Sequence, residues 1–108
     1  MAFKIALTPT YRNKVEVETP NELGTFDKSD FMAEFKRVGY ERINELERMV
    51  PLDVLQEVLV GWTDLLDESG NQIPFSQEAK KILLDIVPAR LALIDAFWGG
   101  LSKAKEKN

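Results

Sequence analysis

Cysteine and histidine are both absent from this 108-residue chain, and each absence removes a class of chemistry. Without cysteine there is no disulfide, no thiolate zinc site and no thiol nucleophile. Without histidine the commonest general base, the commonest metal ligand and the switch that titrates near neutrality are missing, and the serines lack the imidazole a hydrolase triad uses. Long apolar runs are missing too. The most apolar stretch, Ile82 to Trp98, is interrupted by Asp85, Pro88, Arg90 and Asp95, which rules out a plain membrane span of about twenty apolar residues. Met1 to Leu7 holds one lysine and too short an apolar run before Thr8, Pro9 and Thr10 to make a signal peptide. These features predict a soluble, cytoplasmic protein without enzymatic activity, cofactor or metal.

Positive charge is scattered rather than gathered. Lys14, Lys28, Lys36, Arg37, Arg42 and Arg48 do not form the basic stripe that nucleic-acid binding needs. Between positions 51 and 79 stand Asp53, Glu57, Asp64, Asp67, Glu68 and Glu78 with no Lys or Arg, in a chain whose net charge is only −4. Such a block reads as a solvated face that aids solubility, with a dock for a basic partner as the alternative. An apolar share of 44% and a charged share of 30% suit a folded chain rather than a disordered one, and the length suits one domain with a single core.

Phe3, Ile5 and Leu7 alternate with polar or small residues, and Val15 and Val17 alternate with Lys14, Glu16 and Glu18. This predicts a half-buried hairpin turning at Thr8, Pro9 and Thr10, followed by a loop at Thr19, Pro20, Asn21 and Gly24. For 29–37 both a strand and a helix fit. Phe31, Ala33 and Phe35 at period two favour the strand, although Phe31 and Phe35 also have helical spacing. From Tyr40 the pattern is helical, with Tyr40, Ile43, Leu46 and Val50 on one side. Pro51 opens a second helix to about Val60, with Leu52, Leu55, Val58 and Leu59 as its buried stripe. Gly61 is placed as a left-handed helix cap, which sets Trp62 at a corner.

Asp67, Glu68, Ser69, Gly70 and Asn71 then make a turn between two apolar pairs. Ser76 is the N-cap of a third helix starting at Gln77, with Ile82, Leu83, Ile86 and Val87 as its apolar side and a break near 87 imposed by Pro88. The last helix, 88–101, carries Leu91, Leu93, Ile94, Phe97, Trp98 and Leu101 over a wide arc, with Ala92, Ala96, Gly99 and Gly100 on the rest. A helix apolar nearly all round is buried centrally or partly covered by another chain, so Leu93, Ala96, Phe97 and Trp98 are candidates for a partner or self-association surface. The tail 102–108 is polar. The expected fold is α+β: an N-terminal β-hairpin, with a third strand as an option, and a mainly helical body of about four helices. It forms one domain, divided into hairpin and loop (1–25), body (26–101) and tail (102–108).

No stretch carries strong catalytic chemistry. The acids from Asp64 to Glu78 have a superficial likeness to a calcium loop, but with Gly70 in the glycine position the first and last ligand places fall on Leu65 and Ser76, which lack the carboxylates such a loop requires. Phosphate-loop, dinucleotide and nucleophile-elbow patterns are absent, and Gly99 with Gly100 is too short a signal. Trp62 and Phe75 read as core.

In order along the chain stand Phe31 and Phe35, Val60 and Trp62 around Gly61, Asp67-Glu68-Ser69-Gly70, Pro74-Phe75-Ser76, and a closing Ala89 to Phe97. This series resembles the tail assembly chaperones of long-tailed bacteriophages over roughly residues 26–101, with Gly61, Trp62, Asp67, Gly70, Pro74, Phe75 and Ser76 as the shared structural motif. The resemblance implies a non-enzymatic protein that works as a homo-oligomer in the host bacterial cytoplasm and is absent from the mature virion. It would bind the tape measure protein, keep it soluble, and assist assembly of the tube made by the major tail tube protein. Members of that family often also make a longer product by ribosomal frameshifting, and Lys103, Lys105 and Lys107 are compatible with A-rich codons. The alternative is a structural tail or connector subunit retained in the particle.

Overall fold

The structure, a computed structural model, describes residues 1–101. The polar tail 102–108, with Lys103, Lys105 and Lys107, lies outside the described residues. The fold is α+β. Strands β1 (Thr10–Pro20) and β2 (Phe26–Lys36) form a long hairpin, helices α1 (Tyr40–Leu46) and α2 (Pro51–Val58) follow, β3 (Leu59–Thr63) returns to the sheet, and α3 (Gln77–Leu84) and α4 (Val87–Leu101) complete the body. The sheet is antiparallel in the order β1-β2-β3.

The hairpin differs from the expected one. Residues 3–7 pair with nothing in the sheet, and Phe3 and Ile5 stand 81% and 93% exposed. Instead Val15 pairs with Phe31 and Thr10 with Lys36, and the ladder reaches one step further through Arg37 N–H to Pro9 O at 2.9 Å. Pairing 10–20 with 26–36 puts Val15 and Val17 on the same face as Phe31, Ala33 and Phe35, and all five are buried. The longer register buries these five side chains together, so side-chain burial favours it. The expected loop at 19–24 is the true turn. There Asn21 Oδ1 accepts from Leu23 N and Thr25 N at 2.9 and 3.1 Å, and its Nδ2 donates to Asp27 Oδ1 at 3.0 Å. The strand alternative for 29–37 is the one observed.

Pro51 stands at the first position of α2 as expected, but Gly61 is not a left-handed cap. Chain direction changes at Leu59, whose backbone is already extended, and β3 starts without an intervening turn. Gly61 lies within β3 opposite Glu34, where a β-carbon would stand 3.0 Å from Glu34 Oε1. Tyr40 and Val50 are exposed, and α1 ends at Leu46. Of the expected α1 stripe Leu46 is fully buried and Ile43 packs partly against the core, and an ion pair to α2 adds to their hold on the short helix.

That ion pair joins Arg42 to Glu57: Nε donates to Oε2 at 2.9 Å and Nη2 donates to Oε1. Hydrogen bonding from Arg42 holds the Glu57 carboxyl below its ordinary 4.5, against a smaller opposing effect of burial. The folded chain thus gives up this proton at lower pH than the unfolded chain, so the stabilisation is complete above the unfolded value and lost as pH falls through the folded one. Urea unfolding across an acid series is expected to show stability declining once the pH passes below about 4.5. In Glu57→Gln that part of the decline should be missing.

The core lies between the inner face of the sheet and the helices. Phe35 from β2 meets Phe97 from α4 edge-on at 5.4 Å between ring centres, and both are wholly buried with Leu46, Leu55 and Leu93. Helix α4 lies close against β1. Asn13 Nδ2 donates to Ala96 O at 2.9 Å, and a β-carbon at Gly100 would stand 2.8 Å from that same Nδ2. Glycine at 100 is therefore explained by close approach of helix and strand.

Candidate interaction surface

The stretch 61–76 is a packing node. Trp62 is buried, its Nε1 donates to Ile73 O at 2.7 Å, and its ring meets Phe75 edge-on at 4.7 Å. Phe75 is only half-buried. Between them the Asp67 carboxylate closes the turn on itself: Oδ1 accepts from Ser69 N at 2.9 Å and Asn71 N at 3.0 Å. Gly70 takes a φ of +82° there, a conformation in which a side chain is penalised. A single bridge between Leu66 and Gln72 is all the strand pairing this small hairpin makes. Pro74 is exposed in the extended linker beyond it, and Ser76 Oγ accepts from Ala79 N at 3.0 Å, capping α3 as expected. The motif residues thus close the turn that leads into α3, and Ser76 caps its first turn.

The four candidate surface residues divide. Leu93 and Phe97 are wholly buried against the chain's own sheet and α2, which removes them as candidates for a partner or self-association surface. Ala96 is half-buried against β1. Trp98 is half-buried, with its ring edge-on to Phe97 at 4.9 Å. Sequence periodicity identifies a wide apolar arc but does not say which part of it meets the sheet. The small residues Ala96 and Gly100 mark the side that β1 approaches.

The exposed apolar side chains lie elsewhere. Ile82, Ile86 and Val87, expected to be buried, are out in solvent at 69%, 48% and 67%, and Leu91 follows one turn after Val87. Of the expected side Leu83 alone is buried, and helix α3 buries Leu84 beside it, because Lys80 shares their face and is bound from below. Lys80 is 5% exposed, and its Nζ donates to Gln56 O at 2.6 Å and Leu59 O at 2.8 Å. It thereby occupies carbonyls at the C-terminal end of α2, where a cation is favoured. Burial pushes its pKa below the ordinary lysine value. The spacing of Lys80 to Leu83 and Leu84, three and four residues on, is the one sequence signal that could have placed it inward.

Next to this exposed ledge an open cleft of about 780 Å³ is lined by Leu52, Gln56, Gln77, Lys80, Lys81, Ile82, Leu84, Asp85 and Arg90. Arg90 Nε donates to Leu84 O at 2.6 Å across the α3–α4 junction. The cleft combines apolar walls with Lys81 and Arg90 against Asp85, the Lys80 ammonium being spent on the two carbonyls, a composition suited to an amphipathic segment with an acidic flank. Among the described residues no cluster of three or more acidic side chains is arranged to hold a metal ion, and no helix is long and apolar enough to cross a membrane. Comparisons with protein families, curated proteins and solved structures found no match.

Proposed function

We propose that this chain is a non-enzymatic holder of an amphipathic helical client, acting as a tail assembly chaperone on a phage tape measure protein in the host bacterial cytoplasm. The observation that carries the proposal is the ledge of Ile82 and Ile86 beside the cleft of Leu52, Lys81 and Arg90. Large apolar side chains exposed next to a basic-lined groove suit a helix whose apolar stripe must be hidden from water. The order of motifs from Phe31 to Phe97 gives the family resemblance, and one of them, Ser76, caps the helix that carries Ile82. A long helical protein with uncovered stripes aggregates. Covering a stripe removes about 25 cal/mol per Å² of apolar contact with water, which a small ledge supplies only in modest amount. The hold is therefore reversible, and tail tube subunits polymerising around the client displace it.

Ile82 is exposed and supports no core contact, so Ile82→Asp is expected to leave the melting temperature unchanged while abolishing co-purification of the client. If the variant still holds the client, the ledge is not the binding surface. A structural subunit would instead appear at stoichiometric copy number in purified particles. The chaperone is expected in infected lysate and absent from particles.

A further inference from the structure

Residues 3–9 form an apolar arm that neither the core nor the client surface uses. Phe3, Ile5 and Leu7 are exposed, and from Ala2 to Thr8 no backbone group makes a hydrogen bond among the described residues. The root of the arm, by contrast, is fixed beside the last turn of α4. Pro9 O accepts from Arg37 N at 2.9 Å, and the Arg37 guanidinium lies over the Tyr11 ring at 5.1 Å from its centre. That ring stands 3.8 Å from where a Gly100 β-carbon would be. On the side of α4 turned from β1, Leu91 and Leu101 are exposed. Lys4 is the one charged side chain before Arg12, and Asp95 is the one acid of α4. Both are exposed, and neither ion-pairs among the described residues.

We propose that this arm is a strap that closes along the outer side of α4 when no client is bound, with Leu7 on Leu101, Phe3 on Leu91 and Lys4 beside Asp95. Period-two alternation sets Phe3, Ile5 and Leu7 on one face of the extended arm. The lengths agree. Leu91 to Leu101 is about 15 Å at 1.5 Å per helical residue, and Phe3 to Leu7 is about 13 Å at 3.3 Å per extended residue. With Leu7 on Leu101, Lys4 falls level with Asp95, about 10 Å along the helix. The connection from Leu7 to Tyr11 also spans about 13 Å, whereas one helix diameter, the way round from the β1 side, is about 10 Å. Charge fixes the register, since a strap slid toward α3 takes Lys4 away from Asp95 and toward the Arg90 guanidinium. What the strap regulates rests on the holder reading: Leu91 adjoins the ledge one turn beyond Val87, so strap and client compete for it.

The chain has no cysteine, so closure is read with introduced thiols and without client. Phe3→Cys combined with Leu91→Cys is expected to form an internal disulfide under mild oxidation several-fold faster than Phe3→Cys combined with Lys14→Cys. Lys14 is exposed on β1, about 16 Å from Pro9 and comparable in distance to Leu91, so a loosely tethered arm reaches both alike. Adding Lys4→Glu to the first pair should slow its closure several-fold, and adding Asp95→Lys as well should restore it. Equal rates for the two pairs, a disulfide that joins two chains, or no effect of Lys4→Glu would overturn the strap. In the cysteine-free chain, Phe3→Asp with Ile5→Asp, both at exposed positions, is expected to tighten client binding several-fold, because nothing then competes for Leu91. Unchanged client affinity would overturn the competition. Client binding by the wild-type chain is read separately: if it is absent while the internal disulfide forms, the holder reading fails and the strap stands, and if the strap fails while the client is held, the holder reading stands.

Discussion

Phe97→Ala is expected to lower the free energy of unfolding by about 3 to 5 kcal/mol, the usual range for deleting a buried phenylalanine ring. The ring is wholly enclosed, edge-on to Phe35 at 5.4 Å and to Trp98 at 4.9 Å. Its removal therefore leaves a cavity between α4 and β2 that neither a strand fixed in an eleven-residue ladder nor a helix tied to β1 through Asn13 can collapse to fill. Against a typical total of roughly 5 to 15 kcal/mol for a domain, this is enough to unfold an appreciable fraction of molecules. Urea denaturation checks it: the midpoint should fall steeply at unchanged slope. Leu101→Ala, on the same helix but half-exposed, should shift stability by no more than about 0.5 kcal/mol. Near-equal effects at the two positions would mean that α4 packs with a different face inward.

The second large effect is expected at Lys80. Lys80→Met keeps the aliphatic stem but removes both hydrogen bonds, to the buried Leu59 carbonyl and the partly buried Gln56 carbonyl. An unsatisfied buried polar group costs about 1 to 3 kcal/mol. The Leu59 carbonyl is expected to lose that amount and the Gln56 carbonyl less, since water can reach it. The damage falls on the junction where α2 hands over to β3, so hydrogen exchange should rise first at Leu59 and Val60. Lys81→Met, one residue along and exposed, is the control and should change little. Alkaline pH acts on the same group with a definite sign. Burial depresses the folded pKa below the ordinary lysine value, so between the two values the unfolded chain binds more protons and stability rises with pH. Lys80→Met should lack that rise.

The chain's local chemistry was legible wherever one residue type has one physical use. Pro51 at the start of α2, Ser76 as a cap and the Asp67 turn all stand where their side chains demand. The alternation of Phe31, Ala33 and Phe35 correctly outweighed the helical spacing of the same phenylalanines. Decisions that depend on tertiary partners were not legible. Phe3, Ile5 and Leu7 have the alternation of a strand, but the sheet never pairs with them, because Val15 and Val17 find their matching face on β2. In α3, Ile82 and Ile86 compete with Leu83 and Leu84 for the inside, and the winner is set by the two carbonyls that Lys80 reaches. In α4, an arc apolar nearly all round gives no sign of which third faces the sheet. The pattern therefore offers Leu93 and Phe97 as surface candidates although they are buried, whereas the exposed large side chains of α4 are Val87, Leu91 and Leu101. Strand β3 has no sequence mark of its own, because Leu59 and Val60 continue the apolar pattern of α2 without a break.

The most direct test of the holder proposal is co-expression of this chain with the long helical tape measure candidate from its own genome, scoring how much of the client stays in the soluble fraction. The account predicts a client that is insoluble alone, soluble and co-purifying with the wild-type chain, and insoluble again with Ile82→Asp. A client that stays insoluble with the wild-type chain, and equally so with any longer frameshifted form, would contradict it.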